Sequence, residues 1–146
     1  MGILDNVLRG RRDDAELGKG LWRRAHDRFQ RGLDRYHQVL EGVQDDDVYA
    51  ELLVIADHLA GLLPRVRAVC MTCQRLAPSD GYDVPGGYAD VHRSLSKAGN
   101  ALATTAEAAA MLSLAAGPVP MGALSVQRRA ATVLEQVEAA ERSVGL

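Results

Sequence analysis

The chain has 146 residues, of which 47% are hydrophobic and 25% are charged, a composition typical of one soluble globular domain. Its formal net charge of -2 provides no overall attraction to nucleic acid or to an anionic membrane, so the composition disfavours both partners. Two cysteines are too few for a disulfide framework, and the N-terminus lacks the apolar stretch and cleavage site of a secretory signal. We therefore expect a cytoplasmic protein.

Residues 1–12 are expected to form a short amphipathic or flexible segment ahead of the domain. Three arginines follow its apolar residues, which are Ile3, Leu4, Val7 and Leu8. A segment of this length would hold a membrane surface only marginally. We expect it to dock against the domain or against a second subunit.

The first long helix is predicted to begin at Asp13, because an acid followed three residues later by Glu16 resembles a capping box. Apolar residues then recur at intervals of three and four as far as Val43, which is the spacing of one helix face. This stripe consists of Leu17, Leu21, Ala25, Phe29, Leu33, Tyr36, Leu40 and Val43.

The second helix is predicted from the acids at Asp45–Asp47 to Leu76, again with apolar residues at alternating steps of four and three. Pro64 removes one backbone hydrogen bond and crowds the preceding turn. Because Pro64 lies away from the apolar stripe, we expect a kink there and no chain reversal. The turn-forming residues between Ala77 and Gly87 predict the one long loop.

The third helix is predicted from Tyr88 to Ala116, where Gly117 and Pro118 end it, and the fourth from Ala123 to Val144. Four long helices with these connections predict an all-α fold, an antiparallel up-down-up-down four-helix bundle formed by residues 13–146 as one domain. Large side chains on the first helix would fill the space left by alanines and valines on the third and fourth. These large residues are Trp22, Phe29 and Tyr36.

Four arginines follow steps of four, three and four along the first helix: Arg24, Arg28, Arg31 and Arg35. Such a stripe could bind an acidic protein or a phosphate group, because the guanidinium group forms bidentate hydrogen bonds with both. It could equally be a solvated flank whose charges pair with neighbouring acids. The absence of an accompanying aromatic platform further disfavours nucleic acid.

Between Ala101 and Ala116 the third helix is apolar around its whole circumference, and Glu107 is the one charged residue between Ala98 and Gln127. Such a helix is expected to be covered on more than one side. The run is too short and too polar for a membrane span, so we predict a homodimer formed through its outer face. The second helix has a similar apolar excess beside its stripe, in Tyr49, Leu53, Ala60 and Met71, and its outer face could contribute to the same contact. The predicted dimer residues are Ala103, Ala106, Ala110, Met111 and Leu114.

Reactive side chains are few and do not form a recognisable catalytic motif. Cys70 and Cys73 form a C-x-x-C pair near a helix end, where we expect two small buried hydrophobes. Asp34 and His37 have the spacing used in di-iron bundles, but the further carboxylates that such a site requires are missing. We therefore predict no metal and no cofactor.

The sequence thus predicts a non-enzymatic helical-bundle interaction or adaptor protein that is homodimeric and binds an acidic protein through the arginines. The alternative is a small-molecule or metal-binding bundle. That alternative would use His26, His37 or His92, or the Cys70 and Cys73 pair.

Overall fold

A computed structural model describes residues 2–115 and 122–146, and all regular structure in these two ranges is helical, with no strand. The all-α prediction is therefore confirmed. The described ranges contain five helices, one more than the sequence predicted. They are α1 (Ile3–Leu17), α2 (Leu21–Glu41), α3 (Asp46–Leu76), α4 (Ala89–Ser113) and α5 (Gly122–Ser143).

The additional helix arises because the first predicted helix is interrupted between Leu17 and Leu21. Gly18 has a φ of 71°, a backbone conformation that disfavours residues with a Cβ atom. A Cβ at Gly20 would lie 2.4 Å from the carbonyl oxygen of Ser79, so only glycine allows this close approach. α1 also runs continuously through residues 12 and 13, between which the N-terminal segment and the domain are predicted to meet.

The predicted capping box at Asp13 and Glu16 is wrong, because both residues lie inside α1. Their carboxylates bind another helix instead of the α1 backbone. The predicted acidic start of the next long helix is confirmed: Asp45 is the N-cap of α3 and accepts hydrogen bonds from the backbone N–H groups of Asp47 and Val48. This arrangement satisfies two of the backbone donors that a helix N-terminus leaves unpaired.

The predicted apolar stripes form the core of a helical bundle. Trp22, Phe29 and Tyr36 on α2 are at most 1% exposed, and small residues on α4 lie in the same core. This combination of large and small side chains allows the close packing that protein interiors require. The small core residues of α4 are Ala98, Ala106 and Ala109.

The order of the helices around the bundle is α2, α3, α5, α4, so consecutive helices α3 and α4 lie diagonally opposite one another. α2 and α4 run in the same direction, because Trp22 contacts His92 at one end and Gly32 approaches Leu102 farther along. The 77–88 connection therefore crosses the end of the bundle. A simple sequential up-down-up-down arrangement would place α3 beside α4.

The crossing connection is attached to the start of α2 by hydrogen bonds. The indole Nε1–H of Trp22 donates to the carbonyl oxygen of Ala77 at 2.9 Å, and the backbone N–H of Leu21 donates to Ser79 Oγ at 3.1 Å. Ser79 therefore supplies the side-chain acceptor that the N-cap residue of α2, Gly20, lacks. The connection both closes the bundle end and caps a helix.

Two predictions at helix ends and bends have different outcomes. Pro64 lies inside the continuous helix α3, so the chain does not reverse there, and the kink stays a prediction. The predicted helix stop at Gly117 and Pro118, and with it Ala116, lies outside the described residues.

Candidate interaction surface

The arginine stripe divides into two pairs with different surroundings. Arg24 places its guanidinium carbon 3.6 Å from the centroid of the Tyr82 ring and donates a hydrogen bond to the carbonyl oxygen of Gly81. Arg28 donates to the side-chain oxygen of Asn100 on α4. These two arginines therefore connect α2 to its neighbours and serve the fold.

Arg31 and Arg35 remain exposed at the far end of the stripe. Arg35 donates to Gln38 Oε1 at 3.4 Å, and the two arginines line an open depression that also contains Asp34 and Glu41. Because acids alternate with the arginines, the positive potential there is local. A partner would need a carboxylate or phosphate placed directly over the two guanidinium groups.

The predicted dimer face on α4 is only partly accessible. Met111 is 74% exposed and Leu114 is 83% exposed, while Ala103 is also exposed and Ala110 is half-buried. Ala106 is 2% exposed within the single chain, so it belongs to the bundle core and is not available to a second subunit. The large apolar side chains that remain accessible on this face therefore lie at the C-terminal end of α4.

The histidines and cysteines named above do not converge on one site. His26 is 3% exposed, and its Nδ1 atom lies 3.0 Å from Oδ1 of Asp27. His92 packs against the Trp22 ring with a centroid separation of 6.3 Å, and this burial lowers the pKa of its imidazole. His37 lies instead at the opposite end of α2, so the three histidines cannot bind one ligand together.

Cys70 and Cys73 are free thiols, and each is 0% exposed. Burial raises the pKa of both thiols, that of Cys73 to about 11. A thiol must be deprotonated to act as a nucleophile or to bind zinc. The pair therefore behaves as two small core residues.

The described part of the chain contains no group of three or more histidines, cysteines or acids able to hold a metal ion. The di-iron spacing of Asp34 and His37 leads to no such group, because Asp34 is exposed on the outside of α2. Residues 2–115 and 122–146 therefore contain no group of side chains that supports the metal-binding alternative.

An ion-pair cluster that the sequence did not reveal attaches α1 to the bundle. The guanidinium group of Arg67 on α3 donates to Asp13 at 2.8 Å and to Glu16 at 2.7 Å. Burial alone would lower the pKa of Arg67, but its hydrogen bonds to Glu16 and Asp13 raise it overall. The same hydrogen bond lowers the pKa of Glu16. The 54-residue separation of Asp13 and Arg67 left no local signal from which this pairing could be predicted.

A second feature missed by the sequence is a groove of about 600 Å³ between α3 and α5. Its lining is mainly apolar and includes three residues with small side chains or none, Gly61, Ala130 and Ala131. His58 contributes an imidazole, while Arg65 is already bound to Glu141 at 2.6 Å. The groove can accommodate an apolar group of modest size.

Comparisons of the chain with models of known protein families, with curated proteins and with solved structures found no match. None of the helices in the described part of the chain combines the length and the apolar content that spanning a bilayer requires.

Proposed function

We propose that the protein is a non-enzymatic adaptor of the cytoplasm that self-associates as a homodimer and binds an acidic protein through Arg31 and Arg35. The observation that carries the proposal is the contrast between buried and exposed groups. The thiols and His26 are enclosed in the core, whereas large apolar side chains and two arginines face the solvent. Surfaces of this kind support binding, while the thiols, which are the strongest nucleophiles among these groups, are not accessible.

Self-association is tested by sedimentation equilibrium of the purified chain between about 1 and 100 µM. Stable assemblies have dissociation constants below this range or within it. The expected result is a concentration-dependent mass that approaches twice that of the monomer. A mass that stays at one chain throughout would remove the homodimer from the proposal.

The acidic partner is tested with a fluorescent polyglutamate peptide as the probe. The variant Arg31→Glu/Arg35→Glu is expected to bind at least tenfold more weakly, because each reversal replaces an attractive charge with a repulsive one. The control variant Arg75→Glu/Arg142→Glu changes the net charge by the same amount at exposed positions elsewhere and is expected to bind more tightly than the first. Equal weakening in both variants would mean that the peptide responds only to net charge.

A second candidate function is suggested by the groove between α3 and α5, which could hold a small apolar ligand. We test it with 1-anilinonaphthalene-8-sulfonate, whose fluorescence rises in an apolar site. The variant Ala131→Phe is expected to fill the groove and lower this signal severalfold. The control Ala103→Phe, at an exposed position of α4, should leave the signal unchanged. An unchanged signal in both variants would eliminate the groove as a ligand site.

A further inference from the structure

The first half of α1 presents an apolar face that its own chain does not cover. The exposed fractions of Ile3, Leu4, Val7 and Leu8 are 84%, 69%, 44% and 52%. The second half is fixed to the bundle, because Leu17 is 0% exposed and Arg67 binds the carboxylates described above. α1 is therefore an anchored helix with a free apolar face.

Leu4 and Leu8 point away from the bundle because of the helical register, and Ile3 and Val7 lie beside them at the edge of this face. Leu4 and Asp13 are separated by nine residues, as are Leu8 and Leu17. Nine residues correspond to about two and a half helical turns, which places the members of each pair on opposite sides of the helix. While Asp13 and Leu17 contact the bundle, Leu4 and Leu8 cannot turn toward α3 of the same chain.

A second exposed apolar stripe lies on α3, on the same side of the molecule. Tyr49, Leu53, Ala60 and Arg67 are spaced by four, seven and seven residues, so they share one face of α3. Tyr49 is 40% exposed and Leu53 is 39% exposed. Because Arg67 binds α1, the stripe begins where α1 is attached and extends toward the other end of the bundle.

The charges around the two apolar faces are complementary. Arg11 is exposed and lies one turn beyond Leu8, on the same face of α1. The α3 stripe is flanked by Asp46 and Asp57, and no lysine or arginine occurs between Arg35 and Arg65. Residues 3–12 of α1 are net basic, because they include three arginines and one acid, Asp5. A basic apolar segment and an acidic apolar stripe attract each other, whereas an anionic membrane would repel the stripe.

We propose that the free face of α1 docks on the Tyr49–Leu53 stripe of a second copy, and that the second copy's α1 docks reciprocally on the first. Both elements lie on one side of the molecule, so one two-fold axis satisfies both contacts. The four large apolar residues of the α1 face and the two of the α3 stripe together expose on the order of 600 Å² per copy. This area is close to the ~800 Å² that each partner contributes to a stable interface. This inference rests on the proposed self-association and moves its interface from α4 to α1 and α3.

The interface is tested by sedimentation equilibrium of three double variants. Leu4→Ser/Leu8→Ser changes the docking helix, Tyr49→Ser/Leu53→Ser changes the stripe, and Met111→Ser/Leu114→Ser changes the predicted face on α4. The first two are expected to raise the dimer dissociation constant at least tenfold, and the third to leave it unchanged. Circular dichroism of each variant confirms that the helices are intact.

Mixing provides the decisive measurement, because each of the first two variants retains the half of the interface that the other lacks. An equimolar mixture of these two variants is expected to form a heterodimer with one intact contact. Its affinity should lie between that of the wild-type dimer and that of either variant alone. If neither variant weakens the dimer on its own, and their mixture does not form this heterodimer, the proposed contact between α1 and α3 is wrong. Loss of the dimer only in Met111→Ser/Leu114→Ser would overturn this inference and leave the proposed homodimer standing.

Charge reversal separates this contact from membrane binding. Arg11→Glu and Asp57→Arg are each expected to weaken the dimer severalfold. The control Glu135→Arg, at an exposed position of α5, should leave the dimer unchanged. Co-sedimentation with phosphatidylserine vesicles gives the competing outcome: a chain that stays monomeric and binds vesicles through Leu4 and Leu8 would overturn the proposal in favour of a lipid surface.

Discussion

Phe29 illustrates how a single residue of the predicted stripe determines stability. It was predicted to face the core from spacing alone, and its side chain is 1% exposed. Leu76 ends the apolar repeat that predicts the second helix, but it is 56% exposed because it is the last residue of α3. Periodicity identifies a helix face, but it does not show where packing along that face stops.

The variant Phe29→Ala is expected to lower the free energy of unfolding by about 3 to 5 kcal/mol, since it removes a buried ring and leaves a cavity. Leu76→Ala, the matched control, is expected to cost less than about 1 kcal/mol because its side chain is already half in water. Urea denaturation measures both values. Similar losses in the two variants would contradict the burial described for Phe29.

His92 makes stability depend on pH. Burial beside Trp22 lowers the pKa of its imidazole below the ordinary value of 6.5, so the unfolded chain takes up a proton before the folded chain does. Stability is therefore expected to be complete above about pH 6.5 and to fall as the pH decreases toward the folded-state pKa.

The variant His92→Gln is expected to show a smaller loss of stability between pH 7.5 and 5.5 than the wild type, as measured by urea denaturation. Gln44→Ala is the control, because Gln44 is exposed and has no ionisable group, so its replacement should leave the pH dependence unchanged. An identical pH dependence in His92→Gln and the wild type would show that His92 does not titrate differently on folding.

At the scale of the element, α1 is where the sequence was least informative. Its acids resembled a helix start, yet they bind Arg67 of α3. The run Gly18-Lys19-Gly20 was the available signal for a break, since two glycines so close together disfavour a continuous helix. The apolar faces of α2, α3, α4 and α5 were predicted more successfully, because each of these helices buries one regular face.

Replacing Arg67 with Met is expected to loosen the attachment of α1 to the bundle while α2 to α5 remain folded. The change removes the charge-assisted hydrogen bonds to Asp13 and Glu16, while the burial of Leu17 and the bond from Arg23 to Asp14 remain. Hydrogen exchange of the α1 amides should accelerate about tenfold. The control Arg75→Met changes an exposed arginine of the same helix and should leave α1 protected; equal acceleration in both variants would contradict the role of Arg67.

At the scale of the whole molecule, the arrangement of the helices could be predicted only in part. The helical content and the long connection followed from composition, periodicity and turn residues. The diagonal placement of α3 and α4 did not, because it depends on the seating of the connection against Leu21 and Trp22. Such contacts join residues that are more than fifty positions apart and leave no local pattern.

Gly20→Ala tests this seating. The added methyl group would meet the backbone of Ser79 at 2.4 Å, so the connection must move, and we expect a loss of about 1 to 3 kcal/mol in unfolding free energy. Gly86→Ala lies in the same connection with no atom within 4 Å of the added carbon and should be nearly neutral. Thermal denaturation compares the two, and a neutral Gly20→Ala would mean that the connection is not held against α2.

The hydrogen bond from Trp22 to Ala77 also gives the protein a built-in optical reporter. Trp22 is the single tryptophan of the chain, and its indole is enclosed where the connection crosses the bundle end. Its emission spectrum therefore monitors that end alone, while far-ultraviolet ellipticity monitors all five helices. A red shift that precedes the loss of ellipticity during denaturation would show that the bundle opens from this end.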